Sequence, residues 1–304
     1  MPELPEVESL TQFLAEHLTG RQVERVHPVS VAALKTYDPP LTALVGRTFA
    51  GATRHGKFLD LVVAPTVAPT IAPTSREDAG DPALHLVVHL ARAGWVRWND
   101  ALPTAPPRPG KGPLALRVGL DGGSGFDVTE AGTQKHLAVY LVRDPHDVPG
   151  IARLGPDPLS SDITEERFAE LLRSERRQIK GVLRDQAVLA GIGNAYSDEI
   201  LHAAQMSPFK PAANLSDEEV TRLYQAMATT LADAVQRAHG LALRDLKAEK
   251  KSGLRVHGRT GEPCPVCGDT IREVSFSDSS LQYCPTCQTG GKPLADRRLS
   301  RLLK

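Results

Sequence analysis

The sequence has no run of roughly eighteen or more apolar residues, so no segment reads as a membrane-spanning helix. Its N-terminus, MPELPEVESL, lacks both a basic stretch and an apolar core and carries three glutamates instead. That is not the pattern of a secretory signal, and the expected location is the cytoplasm. Net charge is also missing: 36 Lys and Arg balance 36 Asp and Glu. Overall basicity, the usual footprint of a nucleic-acid binder, is therefore absent. The balance is uneven, however, because ten Lys and Arg face five Asp and Glu from Lys250 to the end, a local excess of five. Contact with a phosphate backbone depends on local charge rather than on the sum. Cysteine is nearly absent, and its four residues all fall between 264 and 287. This excludes a disulfide scaffold spread along the chain and reads as a metal cluster.

What is present suits two or three domains in 304 residues. Val7, Leu10, Leu14 and Leu18 share one face of a predicted helix over residues 5–19, and Gly20 ends it. From Val23 to Val142 the pattern changes to short β-rich runs such as QVERVHPV, KFLDLVV, ALHLVVHL, GWVRW, LALRVGL and LAVYLV. Such runs predict an antiparallel sandwich or barrel of about 120 residues. Two segments, the Pro-Thr repeat at 64–82 and the Pro-rich stretch at 102–113, read as mobile loops. After Gly150 helical patterns dominate: ITEERFAELLRS starting after Asp162, ERRQIKGVLRDQAVL, GIGNAYSDEILHAA and SDEEVTRLYQAMATTLADAVQRAHG. In the last, Ser216 and Glu219 form a capping box and Gly240 is the stop. The tail from about Lys247 reads as a small cysteine module.

Three features carry chemistry. Cys264, Cys267, Cys284 and Cys287 are spaced C-x2-C-x16-C-x2-C, and Gly268 eases the turn after the second of them. Two such thiolate pairs suit one tetrahedral zinc, whose full ligand set makes it structural; free thiols or a redox pair are the alternatives. In GIGNAYSDEI, Gly191 and Gly193 open a helix start where Asn194 could meet a phosphate; an ordinary helix corner is the alternative. Pro2 follows the initiator Met1, whose removal would leave a secondary amine able to attack a sugar carbon. Glu3 beside it could move protons, although many sequences begin Met-Pro-Glu with no catalytic purpose.

Taken in order, MPELPEVE, RHGKFLDL (54–61), LGPDPL (154–159), GIGNAYSDEIL (191–201), SPFKPA (207–212) and HGRTGEPCPVCG…YCPTCQ (257–288) resemble the formamidopyrimidine-DNA glycosylase/endonuclease VIII family over nearly the whole chain. The resemblance implies a multidomain α+β fold. Its parts are an N-terminal catalytic β-sandwich with a flanking helix (1–150), a helix–two-turn–helix DNA-binding domain (151–246) and a C-terminal zinc ribbon (247–304). It implies that Pro2 attacks C1′ of a damaged nucleotide and that Glu3 assists at the sugar oxygen. Lys57 matches the lysine of β-elimination and phosphate contact, Glu6 a position near the site, and Asn194 the phosphate-binding asparagine. The four cysteines match ligands of one structural zinc. The implied partner is damaged DNA, bound by a monomer. The target base must leave the stack, because Pro2 cannot reach C1′ inside a duplex.

The departures concern lesion reading. Ser279 stands where the family has a hairpin arginine that assists δ-elimination; Arg255, Arg259 or Arg272 could substitute. HLARAG puts Arg92 at the position of a gap-filling methionine, and TEAGTQKHL (129–137) replaces an Arg-Arg-Phe-Gly loop, leaving Lys135 to supply positive charge. The stretch from Leu246 to His257 is short where 8-oxoguanine-directed members carry a lesion-covering loop. The expectation is a bifunctional glycosylase and AP lyase that performs β-elimination with altered lesion choice. A non-catalytic damaged-DNA-binding protein on the same fold is the runner-up, and a zinc-ribbon adaptor for RNA or protein is a third reading.

Overall fold

The computed structural model describes residues 1–64, 82–108, 110, 112–277 and 279–295. The Pro-Thr repeat expected as a loop therefore lies, except for its two ends, outside the described residues. The other expected loop, 102–113, carries no helix or strand among its described residues. The chain divides into two compact units. The first holds Met1–Pro2, Glu6–Arg153 and Gly240–Leu246; the second holds Glu3–Pro5, Leu154–His239 and the residues from Lys247 onward.

In the first unit, helix α1 (Leu4–Leu18) fully buries Val7, Leu10, Leu14 and Leu18, the face expected from their spacing. Gly20 ends the run at φ +80°, a left-handed conformation that costs glycine little. Eight strands follow: β1 (Val23–Pro28), β2 (Phe49–His55), β3 (Phe58–Val63), β4 (Leu84–His89), β5 (Gly94–Asn99), β6 (Leu114–Leu120), β7 (Gly125–Glu130) and β8 (Ala138–Val142). They form two antiparallel four-stranded sheets, ordered β1-β6-β7-β5 and β2-β3-β4-β8. Phe49 of one sheet meets Phe126 of the other with ring centroids 6.4 Å apart, so the core lies between the sheets. Strand β7, GFDVTE, is buried along its whole length despite two acidic residues. Asp127 is paired in register with Arg117, which donates to both its oxygens at 2.7 and 2.8 Å. Glu130 accepts from the backbone of His136 and Leu137.

The second unit contains α2 (Glu165–Arg173), α3 (Ile179–Arg184), α4 (Asn194–Ala203), α5 (Asp217–Ala238) and α6 (Leu246–Gly253), then β9 (Arg272–Ser275), β10 (Ser280–Tyr283) and α7 (Pro285–Thr289). Leu4, Phe168, Leu183, Tyr196, Leu223 and Leu231 are among the side chains of its core. Helix α5 has the expected capping box between Ser216 and Glu219. Helix α2 starts later than its sequence suggests, because the Thr164 side chain, not Asp162, accepts from the free N–H of Arg167. Helix α3 is only six residues long. The segment from Lys247, where the cysteine module is expected to begin, runs through α6. Arg237 anchors that helix by donating to Glu249 at 2.8 Å.

Candidate active site and metal centre

In the first unit, β2 and β3 are joined by a two-residue turn, Gly56-Lys57, with His55 paired to Phe58. Gly56 takes φ +54°, as tight hairpin turns require at that position. The turn fixes Lys57, whose side chain is largely buried. His89, at the end of β4, packs its ring 4.7 Å from that of Phe58. Burial and then the charge of Lys57 push the imidazole of His89 down to about 4, so it is neutral at neutral pH. Sequence reading missed His89; its only signal was its place beside Leu90 in HLARAG. Pro2 is buried and Met1 is about half exposed at 49%. Glu6 is buried in the first turn of α1. Lys135 points its ammonium back at the carbonyl of Glu130. Arg92 is exposed at the tip of the β4–β5 turn, which Ala91 enters at φ +52° and Gly94 closes by donating to Leu90 O.

In the second unit, the Glu3 side chain lies at the start of α4. It accepts from the backbone N–H of Gly193 at 2.7 Å, Ala195 at 2.9 Å and Tyr196 at 3.2 Å. The first N–H groups of a helix have no partner within it, and a carboxylate there satisfies them and suits the positive end of the dipole. The two glycines of GIGN serve this arrangement. A Cβ on Gly193 would lie 2.4 Å from the carboxyl carbon of Glu3, and one on Gly191 would lie 2.8 Å from Cβ of Leu4. Leu4 N–H also donates to Gly191 O at 3.0 Å. The glycines read from sequence as room for a phosphate are thus room for the Glu3-Leu4 segment. Asn194 Nδ2 donates to Ser280 O at 2.7 Å, while its buried Oδ1 has no partner among the described residues. Arg259 is half-buried, 3.6 Å from Glu262.

Sequence reading also missed a buried polar network on α4. Lys180 Nζ donates to Asn194 O at 3.1 Å, Ser197 Oγ at 2.7 Å and Asp198 Oδ1 at 2.6 Å. Burial lowers the ammonium pKa, and Asp198 opposes the shift. Asp198 Oδ2 contacts His257 Nδ1 at 2.7 Å and accepts from Gln282 N–H. Glu199 accepts from three successive backbone N–H groups, those of Arg255, Val256 and His257, at 2.7 to 3.0 Å. Burial still raises its carboxyl pKa above the usual range. Lys250 of α6 lies over the Tyr196 ring, 4.8 Å from its centroid.

The four cysteine sulfurs all lie within 4.8 Å of one another. Zinc–sulfur bonds of about 2.3 Å in a tetrahedron place sulfurs about 3.8 Å apart, so the cluster fits one zinc. The two knuckles are built alike. Gly268, at φ +78°, donates back to Cys264 O, and Cys284 caps the short helix carrying Cys287. All four ligand positions are filled by cysteine, so the zinc is structural.

Three family models match the chain: the formamidopyrimidine-DNA glycosylase N-terminal domain over residues 1–138, its H2TH domain over 154–245, and a zinc finger found in FPG and IleRS over 261–290. An uncharacterized formamidopyrimidine-DNA glycosylase-like protein of Mycobacterium tuberculosis is 63% identical over 151 residues, half of this chain and 94% of that protein. The formamidopyrimidine-DNA glycosylase of Symbiobacterium thermophilum is 33% identical over 309 residues, covering 98% of this chain and 93% of the relative. Among solved structures, the Lactococcus lactis Fpg (MutM) bound to DNA containing N7-benzyl-Fapy-dG superposes with a TM-score of 0.78 at 26% identity. That likeness covers 95% of this chain and all of the other.

Proposed function

The chain belongs to the formamidopyrimidine-DNA glycosylase/endonuclease VIII family, and from that membership we propose that it is a bifunctional DNA glycosylase and AP lyase of base excision repair. Removal of Met1 frees the secondary amine of Pro2. The amine attacks C1′ of an everted damaged nucleotide, the bond from C1′ to the base breaks, and the base leaves with that electron pair and takes up a proton. Loss of the amine proton and opening of the sugar ring leave an iminium on Pro2. The iminium acidifies C2′; a base removes that proton, and the C3′–O bond breaks with departure of the 3′ phosphate. Water then hydrolyses the imine and frees the amine. Glu3 assists at the sugar ring oxygen, and Lys57 holds a phosphate and assists the elimination. Glu6, Asn194, Lys135 and Arg259 are proposed DNA contacts. The proposed divisions are 1–150, 151–246 and 247–304, in a monomer acting on DNA in the cytoplasm.

The observation that carries this reading is the seat of Glu3. Three backbone N–H groups fix its carboxylate, and Pro2 immediately precedes it in the chain. Such preorganisation of the residue beside a nucleophile is what a positioned attack requires. The differences at Arg92, Ser279 and the 129–137 loop touch lesion choice rather than the amine. Strand cleavage therefore ends mainly at β-elimination, and abasic sites or oxidised pyrimidines are cut faster than 8-oxoguanine. Incision assays on defined duplexes test this. Equal rates on 8-oxoguanine and abasic duplexes, or products ending mainly in 3′-phosphate, contradict the lesion and elimination steps. Tight binding to damaged DNA with no incision supports instead a non-catalytic damage binder. Arg92 and Ser279, standing where the family has its gap-filling methionine and hairpin arginine, are the observations that favour that second reading.

A further inference from the structure

The last turn of α4 carries His202, which is 2% exposed and whose Nε2 lies 3.3 Å from Sγ of Cys264. Its other ring nitrogen, Nδ1, is buried and has no partner among the described residues. His202 is not a fifth ligand, because the mutually close ligand atoms are the four cysteine sulfurs alone. Four thiolates around one zinc leave a net double negative charge, and two of them, Cys264 and Cys284, are buried. Buried charge is tolerated when hydrogen-bond donors face it. At Cys284 the N–H of Cys287 approaches the sulfur at 3.5 Å. At Cys264 the donor is on another element.

We propose that His202 is an outer-shell donor of the zinc centre: a neutral imidazole protonated on Nε2 that donates to the Cys264 thiolate and fixes the metal site to the end of α4. Its lone Nδ1 fits this tautomer, since placing the proton there would bury an unmatched donor and leave the thiolate facing a lone pair. Outer-shell hydrogen bonds orient a ligand and draw charge from it, so their loss weakens metal binding. The same ten-residue helix accepts Glu3 at its first turn, so α4 ties the zinc centre to the N-terminal segment through one rigid element. Zinc is thereby coupled to the position of Glu3, beyond its local role of folding the ribbon.

The full chain loaded with cadmium-113 gives the direct test. The expected spectrum shows a slowly exchanging proton on Nε2 of His202 with scalar coupling to the metal through Sγ of Cys264. A His202 ring protonated on Nδ1, or no coupling, overturns the proposal. Substitution supplies a second measurement on the zinc and cobalt forms. His202→Phe keeps a planar aromatic ring and removes the donor, and His202→Gln restores one. Zinc affinity, read by competition with a chelator, is expected to fall about tenfold in the Phe variant and to recover in the Gln variant. The cobalt–thiolate charge-transfer band is expected to move to lower energy in the Phe variant only. A packing role alone predicts an unshifted band and no recovery with Gln, and either outcome contradicts the assignment.

Discussion

In the sandwich unit, the buried Asp60 of β3 lies between two histidines, His55 on β2 at 3.1 Å and His85 on β4 at 2.9 Å. Asp127 of β7 likewise faces Arg117 across the strands. In the second unit, the buried acids Glu3 and Glu199 each accept three backbone N–H groups, while the buried Asp198 takes Lys180. A sheet spends its own N–H groups on its ladders, so a buried acid within it turns to a side-chain partner, as Asp60 and Asp127 do, or to the loop beyond the strand, as Glu130 does. Helix starts and loops leave N–H groups over, and a carboxylate can collect them. Asp60 and Asp127 of the sandwich are thus held by side chains, whereas Glu3 and Glu199 of the second unit are held by backbone. A single substitution in the second unit releases several backbone groups at once.

The largest expected effect is removal of zinc from the full chain. Binding energy at such a site is folding energy, on the order of 10 kcal/mol. Hydrogen exchange should then rise throughout β9 and β10, with β2, β3 and β4 unchanged. Loss of protection in the sandwich strands as well would break the distinction between the units. Next is Gly193→Ala, whose Cβ would meet the carboxyl carbon of Glu3 at 2.4 Å. Incision of abasic DNA should drop about 100-fold with little change in DNA affinity. A variant as active as the parent would show that the seat of Glu3 is not needed for incision.

Asp60 of the sandwich and Glu199 of the second unit respond to pH in opposite directions. Asp60 has its folded pKa lowered from 3.8, so its contribution is present at higher pH and lost as pH falls through the folded value. Its burial works against this shift, and hydrogen bonds with His55 and His85 overcome it. His85 is raised from 6.5, chiefly by its hydrogen bond to Asp60, so its contribution is complete below 6.5 and lost as pH rises through the folded value. The Asp60–His85 pair therefore stabilises most between these limits, and Asp60→Asn should cost about 1–2 kcal/mol near pH 5.5 and less at either side. Glu199 is raised from 4.5, so its contribution declines as pH rises from there through the folded value. Urea unfolding of Asp60→Asn and Glu199→Gln variants across pH 4 to 8 should give profiles of different shape. Matching profiles would refute the contrast. The smallest expected effect is Ser279→Arg, which should leave the incision rate nearly unchanged and add a minor 3′-phosphate product. Denaturing gels resolve the two ends.

The parts legible in the sequence were those with a period or a fixed spacing. The buried face of α1, the capping box of α5 and the paired cysteines repeat at intervals that backbone geometry dictates. Strand β7 was harder to read, because Asp127 and Glu130 break the apolar pattern and their neutralising partners are distant or in the next loop. The start of α2 was misplaced because Asp162 and Thr164 are both good caps and only the fold selects between them. In GIGN the glycines were visible, but their occupant, Glu3, is 190 residues away in sequence. Lys180, Asp198, Glu199 and His202 carry no spacing signal, since each acts through a partner that tertiary structure supplies.

In the proposed reaction the amine of Pro2 becomes covalently bound to the sugar. Borohydride reduction during reaction with abasic-site DNA, followed by peptide mass mapping, measures that bond directly. One stable adduct is expected on the N-terminal peptide, attached at Pro2, and it should disappear when Met1 is retained. An adduct on Lys57 or another lysine, or an adduct that persists with Met1 in place, would contradict it.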